Sequence, residues 1–316
     1  MIRSLYPIDL LPFLFFSRQA LPNQAIARDS LAKRSPFSPQ VYLEHWLPLR
    51  GMRHTWVSGE GGRLSGVVSV RPCAAPTAWQ VDYLQASDEE HCIALLDMVS
   101  TAAAKREVRK LFLRLPTASP LIDGARRAGF SCYTKDYLYR YGGEREQRAA
   151  EAPEPYLLRP KSRSDEYGLF NLYNAAVPLP VRTAEGMTLE EWQESRDQGS
   201  WMVQHKEFVL LFRSHPSPLP NEGSLVGWLR VNAARGTGCF DIMFHQLEEN
   251  GLEWLVNYGL MCLDGKSPIF CVVSAFQGRL KGLLEGSGFE QVAEYATLMQ
   301  EVAVRVSEPE VIPMRA

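Results

Sequence analysis

The chain has 316 residues, of which 46% are hydrophobic and 22% charged, and its 34 Lys and Arg against 36 Asp and Glu leave a formal charge of −2. That length allows two domains, each able to bury its own core, and the near-neutral charge excludes a general nucleic-acid surface, which needs a basic field. The six cysteines contain no CxxC pair and the six histidines no paired ligand spacing, so the sequence predicts free thiols in a reducing cytoplasm and no metal site.

Taken in order, Ile2–Pro7 reads as a short strand. Asp9 is placed to cap a helix with Pro12 in its first turn and Leu11, Leu14 and Phe15 on one face. The apolar run 10–16 is interrupted by Pro12 and too short to span a bilayer, so it reads as this first helix, with a signal peptide as the minor alternative. A polar loop leads to a second helix containing Tyr42, Leu43 and Trp46. His54–Pro72 has the form of a hairpin around the turn-forming residues 59–62. A strand at Ala78–Ala86 and a helix over His91–Arg109 follow. Lys110–Phe130 then gives an apolar strand, a loop, a short helix and a Gly-Phe stop, and Ser131–Tyr141 closes the half as an aromatic, alternating strand.

Residues 142–155 are Gly-, Pro- and charge-rich and read as a linker between a domain at 1–141 and a second at 156–306, with 307–316 as a tail. The second domain restarts the pattern: strand Tyr156–Pro160, helices Asp165–Ala176 and Thr188–Ser195, strands at Phe208–Phe212 and Ser224–Val231, then a strand at 237–245, a helix, and Ile269–Phe289. Setting Gly129 on Gly288 gives an offset of 288 − 129 = 159, which lays Asp82 on Asp241 and Leu111–Leu115 on Phe270–Ser274. Leu64-Ser65-Gly66 matches Leu225-Val226-Gly227, and Leu43–Trp46 matches Leu189–Trp192, with the offset drifting across loops as a duplication predicts. Large aromatics at helical spacing are usually core, and Trp46 and Trp192 are read so.

This order of elements, with L-x-G in the third strand and Gly-Phe after the last helix of each half, resembles the GNAT acyltransferase superfamily in its tandem form, over Ile2–Arg140 and Tyr156–Val304. The resemblance implies an α/β fold class: two tandem GNAT-like domains, each a mixed, mostly antiparallel sheet flanked by helices. It implies acetyl-CoA or another acyl-CoA as donor and a small-molecule amine as acceptor. It also implies a pyrophosphate loop of pattern Q/R-x-x-G-x-G/A at the N-terminus of the helix after the fourth strand, where amides and the helix dipole meet the negative charge.

In the first half the matching window is Ser87-Asp88-Glu89-Glu90-His91-Cys92. Both glycines are gone and three acids occupy the helix start, where acids ordinarily serve as caps. In the second half Gln246 and Gly251 keep the pattern and Glu249 breaks it. The expected cofactor-binding residues are therefore Met243, Phe244, Gln246, Asn250 and Gly251. The tyrosine that the resemblance places four residues before the Gly-Phe glycine is Ala125 in one half and Leu284 in the other, so neither keeps that acid. Period-two alternation puts Asp241, Met243 and His245 on one strand face, which makes Asp241 and His245 the candidate bases. Their bland reading is a solvated strand end with a hydrogen-bonded histidine. Ala86 stands where His245 would be in the first half, so the second half is the expected site of acyl transfer from acyl-CoA to an amine. A catalytically silent, GNAT-fold binding module is the alternative.

Overall fold

The computed structural model describes residues 1–9, 12, 16, 23–28, 53–60, 63–73, 77–143, 152–186, 188–190, 204–213, 223–233, 236–245 and 250–303. The expected helix around Tyr42 and Trp46, most of that at Thr188–Ser195, and the tail lie outside them.

Twelve strands form a single sheet. The first half contributes β1 (Ile2–Ser4), β2 (His54–Glu60), β3 (Arg63–Pro72), β4 (Ala78–Ala86), β5 (Lys110–Pro116) and β6 (Ser131–Tyr141). The second contributes β7 (Tyr156–Pro160), β8 (Gln204–Phe212), β9 (Ser224–Ala233), β10 (Gly238–Phe244), β11 (Ile269–Ser274) and β12 (Phe289–Glu301). Among the described residues six α-helices with given bounds flank the sheet: α1 (Glu89–Ala104), α2 (Ile122–Arg127), α3 (Glu166–Ala176), α4 (Leu179–Glu185), α5 (Asn250–Cys262) and α6 (Gly278–Gly286). Only β4–β5 and β10–β11 pair in parallel; the other ladders are antiparallel. Among the described residues no helix is long and apolar enough to cross a membrane.

Several elements repeat down to single interactions. Arg3 on β1 holds Asp9 with two 2.6 Å hydrogen bonds, and Arg159 on β7 holds Asp165 at 2.7 and 2.6 Å. Asp9 also accepts from the Tyr6 amide and Asp165 from the Ser162 amide, so each carboxylate ties a strand end to the helical turn beside it. Gly129 and Gly288, the glycines of the two Gly-Phe stops, have φ of 91° and 85°, left-handed values that a side chain would strain. The phenylalanines after them are buried.

The strand order is β1-β2-β3-β4-β5-β12-β6-β11-β10-β9-β8-β7. Each half thus gives its last strand to the other: β12 lies against β5, and β6 against β11. Where β6 and β12 pair, Asp136 opposes Tyr295, and those positions are themselves repeat equivalents (295 − 136 = 159). A pseudo-two-fold axis passes there. Each strand carries one bulge, at Tyr133 and at Val292, again 159 positions apart. Leu298 and Ala296 of β12 are buried in the first half's core under α1, and Tyr139 of β6 in the second half's core under α5 and α6. Gln300 of β12 accepts from Ser100 on α1 at 2.7 Å and donates to the Ala128 carbonyl at 3.0 Å.

This exchange couples the halves more tightly than a linker does. A protease site inserted between residues 143 and 152 and then cleaved is expected to leave both pieces co-eluting as one species in size-exclusion chromatography until denaturant is added. Separation under native conditions would contradict the exchanged sheet.

Candidate functional site

β4 and β5 pair only through Val81–Leu113, and β10 and β11 only through Phe240–Cys271, although all four strands continue. Each half therefore contains a splay, where backbone groups lose their ladder partner and need another. The two splays are filled differently.

In the first half the chain fills its own splay. The Asn23 side chain accepts from the Leu84 amide at 2.9 Å and donates to the Asp82 carbonyl at 3.3 Å. The Gln24 amide donates to Leu84 and the Ile26 amide to Arg114, so residues 23–27 run as a strap between the strands. Ala25 and Ala27 are buried within it. The helix start beside this splay is also closed: Asp88 caps α1 by accepting from the His91 amide at 2.9 Å, and Arg127 pairs with Glu89 at 3.0 Å. Backbone hydrogen bonding from His91 holds the Asp88 carboxyl down at about 2. A polyanion would meet three carboxylates and no free strand edge there.

In the second half the stretch equivalent to the strap folds instead as α4, opened by Pro178 and Pro180 and closed by left-handed Gly186. Its C-terminal carbonyls at Thr183 and Ala184 accept from the Lys110 ammonium of the first half, at 3.1 and 2.8 Å, where a cation complements the helix dipole. Among the described residues the splay between β10 and β11 is bridged by side chains: Arg28 reaches Asp241 at 3.6 Å and Ser274 at 3.4 Å, and Gln277 joins the two backbones. Gln277 accepts from the Ser274 amide at 3.0 Å and donates to the Ile242 carbonyl at 2.9 Å.

The expected site residues fall around this splay in distinct environments. Asp241 is ion-paired with Arg230 at 3.0 Å and with Arg28 at 3.6 Å. The matching Asp82 pairs with Arg71 of β3 at 3.6 Å and with Arg53 at 3.0 Å. The His245 amide donates to Val226 at 2.8 Å. Met243 packs with Trp228 and the α3 residues Leu169 and Leu172, while Phe244 packs on the opposite side, against the core under α5. Gly251 lies in the first turn of α5, where a Cβ would come within 2.9 Å of Leu210, 3.1 Å of Tyr156 and 3.2 Å of Phe244; glycine here permits helix-to-sheet packing. Asn250 begins α5, and Gln246 lies outside the described residues. Ala125 and Leu284, in the positions that lack the tyrosine, are fully buried in the two cores.

The structure adds a charged seam that strand alternation did not reveal. Asp136, only 2% exposed, accepts from Arg114 at 3.0 and 2.9 Å, from Ser274 at 2.7 Å and from Thr297 at 3.4 Å. Arg28, at the end of the strap, reaches Asp136 at 3.4 Å and Asp241 at 3.6 Å while 39% of its side chain stays open to solvent. Burial alone would raise the Asp136 carboxyl, but Arg28, Arg114 and the Ser274 hydroxyl outweigh it and hold it below the usual range. Close by, Glu185 at the end of α4 accepts from the Tyr173 hydroxyl at 2.5 Å. Burial pushes the Glu185 carboxyl up. Burial, and then the charge of Glu185, raise Tyr133, which packs in the same apolar cluster as Tyr173 and Met243. The two prolines that open α4 were the sequence signal for the helix that delivers Glu185.

No family model and no curated protein matches the chain. Solved structures do. A tandem GNAT protein from the clavulanic acid biosynthesis pathway, solved without AcCoA, superposes over 97% of this chain and 99% of its own, with a TM-score of 0.54 at 15% identity. A GCN5-related N-acetyltransferase from Sphaerobacter thermophilus superposes over 98% and 97%, with a TM-score of 0.55 at 14% identity. A functionally unknown conserved protein from Staphylococcus epidermidis covers 75% of this chain and 91% of its own, with a TM-score of 0.52 at 10% identity. The fold is the tandem GNAT fold.

Removing Asp136 would strand Arg114 in a buried setting. Asp136→Ala is expected to cost about 3–5 kcal/mol in urea unfolding, against well under half of that for Lys135→Ala, whose pair with Glu294 is exposed. Equal costs would show that the seam is not what ties the sheet together.

Proposed function

We propose that this tandem GNAT-fold chain transfers an acyl group from an acyl-CoA thioester to a small amine, and that the second half carries the reaction. The observation that supports this most is the contrast between the splays: a backbone strap fills the first, whereas side chains span the second, the Gln277 amide between Ile242 and Ser274 and the Arg28 guanidinium between Asp241 and Ser274. The Ser274 amide and Ile242 carbonyl that Gln277 engages are one donor and one acceptor, the complement of an amide-bearing thiol arm. Such an arm would replace the Gln277 amide with its own. The reaction is direct attack of the amine on the thioester, oriented by the strand amides. We place it in the cytoplasm, where the six free thiols stay reduced.

For the base, Asp241 is already engaged by two guanidinium groups, which makes it an anchor for Arg28 more than a proton acceptor. His245 stays in the proposal, and Glu185, raised by burial, joins it as the carboxylate suited to accept a proton nearer neutral pH. Because a base acts when deprotonated, kcat/KM should rise with pH through a midpoint above the ordinary carboxylate range. Glu185→Gln should remove that limb and lower kcat by about 10²–10⁴.

A second reading, a catalytically silent binding module, draws on the Asp82–Arg71 pair, which like Asp241–Arg230 joins an acid to an arginine of the neighbouring strand, here beside a splay that the strap closes. Calorimetry with acetyl-CoA separates the two. Gly278 opens α6 next to Gln277 and has nothing within 4 Å of where a Cβ would sit, so Gly278→Trp blocks the splay without strain. The acyltransferase reading expects saturable binding by the wild type, lost in Gly278→Trp, and thiol release when amines are supplied. Absence of acetyl-CoA binding by the wild type would leave the silent module.

A further inference from the structure

We propose that the first half carries a binding site for a small organic anion, an acid group on an apolar body, in a cavity separate from both splays. The cavity has a volume of about 410 Å³ and opens between the β1–β2 edge and the C-terminal end of α1. His54 and Trp56 of β2 form one side, Met98 and Thr101 of α1 the other, and Lys105 and Arg106 stand just past the helix end. Its charged lining is entirely basic, with Arg53 as the third cation and no Asp or Glu.

Arg53 is neutralised by Asp82 at 3.0 Å. Among the described residues no carboxylate pairs with Lys105 or Arg106. Basic residues after a helix commonly serve its last carbonyls, and Arg106 does so by donating to Ala102 at 3.3 Å. That bond and the Trp79 ring, 5.9 Å from the guanidinium carbon, fix Arg106 in place. Lys105 makes no such side-chain bond, and its ammonium is left at the cavity rim. A cation beside a roomy cavity with no counter-charge is a site that an anion completes.

The aromatic wall decides what the anion is attached to. His54 lies 5.2 Å from Trp79 and 6.0 Å from Trp56, ring to ring, so the wall is braced before any ligand arrives. Burial, and then the charge of Arg106, hold the His54 imidazole below its ordinary value. A bare inorganic ion would leave the Trp56 and Met98 surfaces unused, whereas a ligand pairing one acid group with an apolar body uses both. In this arrangement the acid group sits between Lys105 and Arg106, and the body lies against Trp56 and Met98.

Titrating the full chain calorimetrically with phenyl phosphate, and with benzyl alcohol as its uncharged counterpart, tests this. Saturable binding of phenyl phosphate is expected, weakened about tenfold or more by Lys105→Glu and retained by Lys105→Arg. Thr101→Trp, which fills the cavity from the exposed face of α1, should abolish it, and benzyl alcohol should show no saturable heat. The proposal is overturned if phenyl phosphate gives no saturable heat at about 10 mM, if the two ligands bind alike, or if Thr101→Trp binds as the wild type does. Should Lys105→Glu fail to fold, Thr101→Trp and loss of affinity with added salt decide the outcome. None of these readouts involves acetyl-CoA, so they stand apart from the acyltransferase reading.

Discussion

The interaction on which the rest of the molecule depends is the Asp136–Arg114 pair, at the place where each half hands its last strand to the other. Asp136 sits on the pseudo-two-fold axis opposite its own repeat equivalent, Tyr295, and duplication has left the axis asymmetric. One side of it carries a carboxylate and the other an apolar ring packed on Leu138 and Val272. A carboxylate buried that deeply is tolerable only with several donors, and the fold supplies them to the acid on β6 from three other strands: Arg114 of β5, Thr297 of β12 and Ser274 of β11. Hydrogen-bonded strands and a satisfied buried charge thus fix the same register twice.

That seam also sets the difference between the two clefts. Arg28 reaches it from the end of the strap in the first half, so the segment that closes one splay is anchored by the acids beside the other. The equivalent stretch of the second half is a proline-opened helix. It leaves its own splay to the side chains of Gln277 and Arg28 and carries Glu185 at its end instead. Duplication of a fold with one cleft per copy has produced one cleft filled by backbone and one spanned by side chains. A fold shared with N-acetyltransferases does not by itself assign a reaction; the two copies differ in what fills their clefts.

Much of the architecture could be read from the chain because it was written twice. The two Gly-Phe stops fall where the offset put them, and β4, β6 and β7 match their expected bounds. Periodicity located Asp241, but the fact that its partners are Arg230 and Arg28 is a matter of cross-strand register and of a loop more than two hundred positions away, which no local pattern encodes. The strand exchange was hidden for the same reason. A strand reads alike whichever sheet edge receives it. Glu185 lay in a stretch between the two expected helices to which no element was assigned, and proline in a first helical turn was the informative signal. The acids at 88–90 read correctly as caps, because capping is decided within three residues of the helix start.

The central claim, that the first splay is shut and the second is the one a thioester can enter, is most directly tested by hydrogen exchange with mass spectrometry during titration with acetyl-CoA. The account expects new protection confined to Gly238–Phe244, Ile269–Ser274 and the start of α6, with Ala78–Ala86 and Lys110–Pro116 unchanged because their groups are already bonded to the strap. Protection appearing in Ala78–Ala86 while β10 and β11 stay unchanged would contradict it.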